Sequence, residues 1–341
     1  MGPSTEAGTQ PPGATCEALT IGPVRLEFSS SSPDFAALVR RRFALLRTPQ
    51  AGEPGGAIVH ISLRECPDGT VPEARLPERA LFSCASGLRG AYDDGALQMA
   101  APGVYAAARP AEGWARLTVS RGCLAHEPKF VTHTLVTFVL FELLRHRGLY
   151  HLHGAALVRG HEGLIVAGGT GSGKTTTAVS LVRRGWQCVA DDTLFVRASD
   201  DSAQVYGLPE EFTLDPAATR RFPELLALRT RPPCGDGQKR SFDPREFYGD
   251  VFAQQCPAHV LVFSGLQRGG RTGLVRLSSA EALVRALPLS PLIMLDPSIA
   301  ADHAAALRQL VQSCSCYALS AGPDLRREPW RLLEMLPPQS P

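Results

Sequence analysis

The chain has 341 residues, enough for two domains or for one large domain with an appendage. Hydrophobic residues make up 44% and charged residues 20%, close to the average for soluble globular proteins, so a disordered, collagen-like or multi-span membrane protein is excluded. The net charge of +2 gives no support to a broad surface for nucleic acid or anionic membranes. Only three of the 35 basic residues are lysines: Lys129, Lys174 and Lys239.

Nine cysteines are spread from Cys16 to Cys316 without a C-x-x-C pair, and nothing like a signal peptide precedes them. This pattern predicts a reduced, cytoplasmic protein. Cys314 and Cys316 alternate on a short apolar segment, which favours buried core thiols over a metal site. The longest apolar stretch, at residues 135–144, is much shorter than the roughly 20 residues that a membrane-spanning helix needs, so no membrane association is predicted.

The first half of the chain has the mixed patterning of a small α+β domain. Residues 1–17 are rich in Pro, Gly and Thr and are predicted to form a flexible tail. The α+β domain is predicted over 18–127, with strands at 24–28, 57–63 and 115–120 and a helix at 33–46. The apolar spacing of residues 130–145 predicts a buried helix, and we assign 128–147 as a helix that joins this domain to the next.

The second half alternates strands with helices, which is typical of an α/β domain. We predict this domain over 148–322, followed by a C-terminal helix and tail over 323–341. Its first elements are predicted as a hairpin of strands at 153–158 and 164–167, a helix at 174–184 ending at Gly185, and a strand at 186–190. Farther along, the pattern predicts a strand at 259–263, a hairpin around Gly269 and Gly270, and helices at 279–287 and 299–312.

A glycine-rich motif follows the second strand of the first hairpin. Residues 168–175 read GGTGSGKT and match G-x-x-x-x-G-K-[ST], directly after an apolar strand and directly before a helix. Glycines let backbone N–H groups surround phosphate oxygens, and the helix N-terminus adds partial positive charge. Lys174 is therefore predicted to contact the β- and γ-phosphates of a nucleotide, and Thr175 to ligate Mg²⁺. The predicted nucleotide-binding residues are Gly168, Gly169, Thr170, Gly171, Ser172, Gly173, Lys174, Thr175 and Thr176.

Two adjacent carboxylates, Asp191 and Asp192, follow the next predicted strand. A helix of about 11 residues carries the chain roughly 17 Å from the loop, and a five-residue strand at about 3.3 Å per residue returns it by a similar distance. In a parallel β-α-β unit, both carboxylates then reach the sheet edge where the phosphates bind. One can hold Mg²⁺ while the other accepts a proton from an attacking hydroxyl. A simple Asp-Asp turn at the strand end is the alternative.

The segment HGAALVRGHEGLIVAGGTGSGKTTTAVSLVRRGWQCVADD resembles the catalytic domain of bacterial HPr serine kinase/phosphorylase, in which an H-G strand, a P-loop, an R-G turn and an A-D-D strand end follow in this order. The spacings agree, with 15 residues from His153 to Gly168 and 17 from Lys174 to Asp191. The close resemblance covers about 40 residues, and a looser similarity of strand and helix order continues to about residue 320.

The resemblance implies an α/β fold, in which a P-loop kinase domain with a PEP carboxykinase-like mixed sheet follows the smaller α+β N-terminal domain. It implies ATP and Mg²⁺ as cofactors, Asp191 as catalytic base towards a substrate hydroxyl, and Asp192 as a partner of Mg²⁺ beside Thr175. It also implies that His153 lines the phosphate site and that the protein forms a homo-oligomer. An ordinary strand histidine is the alternative for His153, and a zinc site shared with His151 would lack a third ligand at a sensible spacing.

The chain departs from the family downstream of the Asp pair. Bifunctional members carry an E-x-R-G-x-G signature there, whereas this chain reads VYGLPEEFTL, with Tyr206 before Gly207 and no Glu-Arg pair. The phosphorylase activity, and HPr itself as substrate, are therefore left open. Glu210 or Glu211 could still supply a carboxylate. The first half of the chain has no recognisable match, which points to a divergent member of the kind found with peptide-modifying pathways.

The third candidate region is the polar segment DGQKRSFDP, which carries Lys239 and Arg240. A mobile loop here could close over the triphosphate and neutralise charge on the transferred phosphoryl group, so both residues are predicted to be catalytic. A solvated basic pair on a surface loop is the alternative.

Together these features predict an ATP- and Mg²⁺-dependent kinase that phosphorylates a hydroxyl, with a serine of a small protein or peptide as the preferred acceptor. No nucleic-acid or membrane partner is predicted. Two alternatives stay open: a kinase of a small metabolite such as free serine, and a nucleotide-sensing regulatory module that transfers no phosphoryl group.

Overall fold

The structure is a computed structural model that describes residues 15–49, 56–72, 76, 82–83, 87–199, 202–234, 238–267 and 269–337. The chain divides into two compact units, Met1–Arg147 and Gly148–Pro341. Most of the predicted N-terminal tail and the last four residues lie outside the described residues. Both units combine helices with mixed sheets, so the chain has the α/β character that its sequence pattern predicts.

The first unit is built on one mixed sheet. Its strands are β1 (Thr15–Ile21), β2 (Val24–Ser30), β3 (Ala57–Cys66), β4 (Phe82–Ser83), β5 (Arg89–Asp93), β6 (Ala96–Ala101), β7 (Val104–Arg109) and β8 (Trp114–Ser120). Their order in the described sheet is β1-β2-β3-β8-β7-β6-β5-β4. The β2–β3 and β3–β8 pairs are parallel, whereas the other neighbours are antiparallel.

Helix α1 (Pro33–Arg42) connects the parallel strands β2 and β3. It begins with Pro33 after the N-cap Ser32, whose side chain accepts the Phe35 N–H. The helix is shorter than the predicted 33–46, because the chain turns after Phe43 so that the Arg47 carbonyl accepts the N–H of Thr20 at 2.9 Å. Phe43 is buried and stacks on Phe28, with ring centroids 5.2 Å apart.

The segment predicted as a joining helix packs within the first unit. It follows α2 (Arg121–His126) and consists of a π-helical stretch, Phe130–Val136, continued by α3 (Thr137–Arg145), which contacts strands β3, β7 and β8. Glu142 interrupts its apolar pattern and is fully buried; it accepts hydrogen bonds from Arg145 Nη1 at 2.6 Å and from the Tyr92 hydroxyl at 2.5 Å. The buried charge is therefore paired, as burial requires.

The second unit has a larger mixed sheet with helices on both faces. Its strands are β9 (Tyr150–Arg159), β10 (Glu162–Ala167), β11 (Gln187–Ala190), β12 (Thr193–Ala198), β13 (Ala203–Leu208), β16 (Gln255–Pro257), β17 (Val260–Leu266), β18 (Gly273–Arg276) and β19 (Ser315–Ala321). The order is β16-β13-β12-β9-β10-β17-β19-β18, and β11 also pairs with β9. A separate ribbon joins β14 (Phe212–Leu214) to β15 (Arg240–Phe242).

The helices of the second unit are α4 (Lys174–Val182), α5 (Pro216–Thr219), α6 (Arg245–Tyr248), α7 (Ser279–Ala286), α8 (Ala300–Ser313), α9 (Pro323–Arg327) and α10 (Leu332–Met335). Leu164 and Val166 of β10 pack with α4, whereas Ile165 and Ala167 pack with α7 and α8. This alternation buries β10 on both faces, because successive strand residues point to opposite sides of a sheet.

The hairpin predicted around Gly269 and Gly270 is wrong. Strand β17 pairs in parallel with β10 on one side and with β19 on the other, so it has no free edge for β18. Strand β18 instead pairs antiparallel with the far side of β19. Cys316 of β19 is buried, which raises the pKa of its thiol to about 11, and Cys314 caps α8. No helix in the described parts of the chain has the length and apolar character needed to cross a membrane.

Candidate active site

The glycine-rich loop lies between the end of β10 and the start of α4. A Cβ atom at Gly168 would lie 2.6 Å from the Ser264 carbonyl oxygen and 2.7 Å from Ser172 Oγ, so a larger residue does not fit there. Gly171 and Gly173 have φ angles of 81° and 97°, which L-residues rarely adopt. Ser264 of β17 holds the loop by donating from Oγ to the Ser172 carbonyl at 2.8 Å. The loop is therefore fixed both by its glycines and by a distant strand.

Helix α4 begins at Lys174 without a side-chain cap. The first four N–H groups of a helix have no partner within it, so an uncapped N-terminus is open to an anion. Beside it, the Ser172 hydroxyl is buried without a hydrogen-bond partner among the described residues. A group with several acceptor oxygens would satisfy these donors.

The Lys174 ammonium group is buried and folded onto the loop. It donates to the carbonyl oxygens of Gly168 at 2.8 Å and Gly169 at 3.2 Å, and it lies 2.9 Å from His153 Nε2. Burial lowers the pKa of Lys174, while the charges of Asp192 and Asp191 oppose this shift. Since an ammonium group only donates, His153 Nε2 accepts this hydrogen bond.

His153 lies between Lys174 and the Asp pair. Its Nδ1 atom is 3.1 Å from the Asp192 carbonyl oxygen and 3.5 Å from Asp192 Oδ1. Because a carbonyl only accepts, the hydrogen of the neutral ring is on Nδ1. Burial lowers the pKa of His153, and Lys174 adds to this shift, whereas Asp192 opposes it. The neutral ring therefore connects the loop lysine to the strand end that carries the two carboxylates.

Asp191 is buried directly beside the start of α4. Its side chain hydrogen-bonds Thr175, which lowers its pKa, but burial and the neighbouring Asp192 charge outweigh this and raise the pKa to about 7. Asp192 is more exposed, with 58% of its side-chain surface accessible. The two carboxylates thus differ in environment: Asp191 is shielded from solvent and has a pKa of about 7, whereas Asp192 is open to solvent.

The strand order explains how the loop and the Asp pair meet. Strand β9 pairs antiparallel with β10 on one side and with β11 and β12 on the other. Strands β10 and β11 therefore run parallel, as the sequence arithmetic requires, but β9 lies between them. His153 sits on β9 opposite Thr193, at the level where both neighbours end.

These groups face a cleft of about 570 Å³. Its walls come from the loop from Thr170 onwards, the start of α4, the Asp pair, the segment between β13 and α5, and parts of β17, β19 and α9. The cleft is not lined by Gly168, Gly169 and His153, which contact the lining residue Lys174.

The structure separates the two residues of the predicted closing loop. Lys239 lines the cleft, and its charge contributes to lowering the pKa of Lys174. Arg240 does not line it, because it begins β15 and its Nη1 atom donates to the Gln238 carbonyl at 2.6 Å. Residues 235–237 of this segment lie outside the described residues.

The region that departs from the resembled signature also borders the cleft. Glu210 and Glu211 line it, and Glu211 accepts a hydrogen bond from the Ser241 hydroxyl. Gly207 packs closely against β11, since a Cβ there would lie 2.7 Å from Ala190 Cβ and 2.7 Å from the Val189 carbonyl oxygen. The charge of Glu210 adds to the rise in the pKa of Asp191.

The cleft residues that sequence reasoning missed include Arg221, Ser264 and Arg326. None belongs to a local motif, and the chain holds 32 arginines, so their position follows only from the fold. Ser264 could have been noticed only as a polar residue at the end of an apolar strand.

The residues around the loop fit the groups that the resemblance implies. The uncapped helix, the glycine cradle and the unpartnered Ser172 hydroxyl suit a polyphosphate. Within the described residues, no three His, Cys, Asp or Glu side chains are arranged to hold a metal ion. Nucleotide-bound Mg²⁺ needs only one or two protein ligands beside phosphate oxygens and waters, and the Asp192 carboxylate and the Thr175 hydroxyl can serve as these ligands.

A scan against protein-family models finds no match for this chain, and a search of curated proteins finds none either. Among solved structures, the Hpr(Ser) kinase/phosphatase from Coxiella burnetii is similar over 35% of this chain and 65% of that chain, at 19% identity and a TM-score of 0.23. The matched region thus spans less than two thirds of that protein. A TM-score this low establishes neither a shared fold nor a shared activity.

Proposed function

We propose that this protein is an ATP- and Mg²⁺-dependent kinase that transfers the γ-phosphate to a hydroxyl group. One observation carries the proposal: the buried Asp191 carboxylate hydrogen-bonds Thr175 at the uncapped start of α4, in the same cleft as Lys174. A phosphate-binding helix end, a cation and a shielded base are the parts that phosphoryl transfer needs.

Each group has a distinct task in this proposal. The loop N–H groups and the Ser172 hydroxyl bind the phosphates, and the Lys174 ammonium turns from the Gly168 and Gly169 carbonyls to phosphate oxygens. Thr175 and Asp192 would hold Mg²⁺, which would supply positive charge beside the transferred phosphoryl group. His153 positions Lys174 relative to the Asp192 backbone, because its two ring nitrogens hydrogen-bond these two groups.

Asp191 is the proposed base. It accepts the proton from the attacking hydroxyl as the bond between the hydroxyl oxygen and the γ-phosphorus forms, while the bond from that phosphorus to the β–γ bridging oxygen breaks and ADP leaves. Its raised pKa supports this role, because a base is most effective when its pKa lies near the working pH. Lys239 at the cleft wall adds positive charge opposite the phosphates.

The proposed acceptor is a serine of a small protein or peptide. This assignment rests on the sequence resemblance, and the acidic lining formed by Glu210 and Glu211 is compatible with a hydroxyl substrate approaching from that side.

The test is a transfer assay with labelled ATP, Mg²⁺ and a library of serine peptides. Lys174→Ala should lose nucleotide binding, because it removes the loop cation. Asp191→Asn should keep ATP affinity but lower transfer by about 10²- to 10⁴-fold, the range of a removed general base. Asp302→Asn, an exposed carboxylate on α8, is the matched control and should behave as the wild type.

Two outcomes would redirect the proposal. If the peptides stay unlabelled while a library of small metabolites is phosphorylated, the protein is a metabolite kinase. If ATP binds, no hydroxyl is labelled and Asp191→Asn changes nothing, the protein is a nucleotide-sensing module and the kinase proposal fails.

A further inference from the structure

Two arginines in the cleft have no task in the proposed reaction. Arg221 follows α5, and Arg326 lies in α9, so the fold brings them together from distant parts of the chain. Burial and the nearby charge of Arg326 both lower the pKa of Arg221. The two arginines thus line the same cleft, and their like charges act on each other.

Neither arginine has a carboxylate partner among the described residues. The Nε atom of Arg326 is buried and makes no hydrogen bond there. Asp215 attracts Arg221, but Asp215 Oδ1 already accepts the Ala217 N–H at 2.7 Å as the cap of α5. Other arginines of this unit are paired with acids: Arg183 with Glu224, Arg231 with Glu246, and Arg245 with Asp243.

Two guanidinium groups that have no carboxylate partner within the described parts of the chain are suited to an oxyanion. Each group presents N–H donors in a planar fork that matches a carboxylate or a phosphate, and a shared anion removes the repulsion between them. Leu325 and Pro329 are buried and also line the cleft, so they present apolar surface beside the arginines. The triphosphate already has its own donors at the loop and Lys174.

We propose that Arg221 and Arg326 form a second anion site, which binds a carboxylate or phosphate group on the hydroxyl-bearing acceptor. This inference rests on the proposed kinase function and adds the class of substrate: the acceptor is acidic. The hydroxyl is directed to the carboxylate end of the cleft, and the acidic group is held at the arginine end.

A binding experiment tests the anion site without turnover. Inorganic phosphate is titrated calorimetrically into the full chain carrying Lys174→Ala, so that the loop contributes little. Adding Arg221→Gln or Arg326→Gln should weaken phosphate binding by about tenfold or more, since hydrogen bonds to charged groups are strong. Arg220→Gln and Arg327→Gln, at neighbouring positions that do not line the cleft, should leave it unchanged.

The controls make a negative result informative. Far-UV circular dichroism and melting temperature report whether each variant is folded, and Arg221→Lys keeps the charge while it removes the fork. We expect Arg221→Lys to bind phosphate with intermediate affinity. Equal phosphate affinity with and without Arg221→Gln in a folded protein would overturn the anion site.

A transfer experiment then tests the acceptor. Serine peptides flanked by Asp and Glu, matched peptides with Asn and Gln, and small hydroxy acids are compared as substrates. In the wild type the acidic acceptors should be preferred; in Arg221→Gln their KM should rise about tenfold, with kcat and the KM for ATP unchanged. If the KM of the acidic peptides rises, the acidic group belongs to a peptide; if the KM of the hydroxy acids rises, it belongs to a small molecule.

Two results would contradict the acceptor assignment. A rise in the KM for ATP in Arg221→Gln would mean that the arginines bind the nucleotide. If the wild type labels no acceptor although ATP binding depends on Lys174, the kinase function fails, and the acceptor assignment with it. The phosphate titration would still decide whether the anion site exists.

Discussion

The surroundings of Asp191 disfavour its charged form. The fold removes this carboxylate from water and places the charge of Asp192 beside it, and both effects favour its protonated form. A hydrogen bond with Thr175 and, more weakly, the charge of Lys174 favour the charged form. Near neutral pH, ionisation of Asp191 therefore lowers the free energy of unfolding.

Replacing Asp191 by Asn should raise the free energy of unfolding above pH 7. A carboxyl whose folded pKa is raised from 3.8 to about 7 stabilises the fold fully at low pH and loses this contribution as pH rises through 7. The difference between variant and wild type should therefore grow from pH 4 to pH 7 and level off at no more than about 4 kcal/mol.

Urea unfolding of both proteins between pH 4 and pH 9 measures this difference. Asp302→Asn is the matched control, because it removes an exposed carboxylate of α8 that does not line the cleft. A constant difference across the whole range would mean that Asp191 titrates like an ordinary surface carboxyl.

At the scale of elements, the loop depends on one glycine more than on its neighbour. Gly168 has no room for a Cβ atom, whereas nothing lies within 4 Å of a Cβ at Gly169. Gly168→Ala should push the loop away from Ser264, destabilise the protein by about 1–3 kcal/mol and weaken nucleotide binding. Gly169→Ala should leave stability within about 0.5 kcal/mol of the wild type.

Thermal unfolding and fluorescent-nucleotide titration of the two variants provide the comparison. Similar losses in both would indicate that the loop tolerates no side chain at either position, and equal tolerance would show that the contact between Gly168 and Ser264 is dispensable.

The elements that sequence predicts best are those with local causes. The β9–β10 hairpin, α4 and β11 follow from turn glycines, helix periodicity and an apolar run within 45 residues. The end of α1 was missed because it depends on a bridge between Thr20 and Arg47. The place of β18 was missed because β19, some 40 residues farther along, inserts beside β17.

At the scale of the molecule, the second unit should act alone. Both core clusters of the second sheet consist of residues after Arg147, and so do all the residues of the cleft. A fragment of residues 148–341 should therefore fold cooperatively and bind ATP with an affinity within about threefold of the full chain.

Calorimetric melting and nucleotide titration of this fragment give the answer, with the fragment of residues 1–147 as the non-binding control. A folded fragment 148–341 that binds ATP much more weakly than the full chain would show that the first unit contributes to the site.

The candidate site divides in the same way between what sequence can and cannot predict. The loop, Lys174 and the Asp pair are ordered along one short segment, so their spacing is enough to associate them. Arg221 and Arg326 reach the cleft because α5 and α9 join the same core cluster as α4, which no spacing encodes. His153 was recognised from its spacing, but its role as a bridge between Lys174 and Asp192 is a matter of geometry.

The hydrogen bond from Ser264 to the loop has a consequence for the order of folding. The pairings of β9 with β10, β11 and β12 close short loops, whereas β17 joins β10 across almost a hundred residues and pays a larger closure entropy. The loop thus belongs to an early-forming segment, but the hydrogen bond from Ser264 that holds it forms only when β17 pairs with β10. We therefore expect a newly made chain to bind nucleotide only after β10 and β17 have paired.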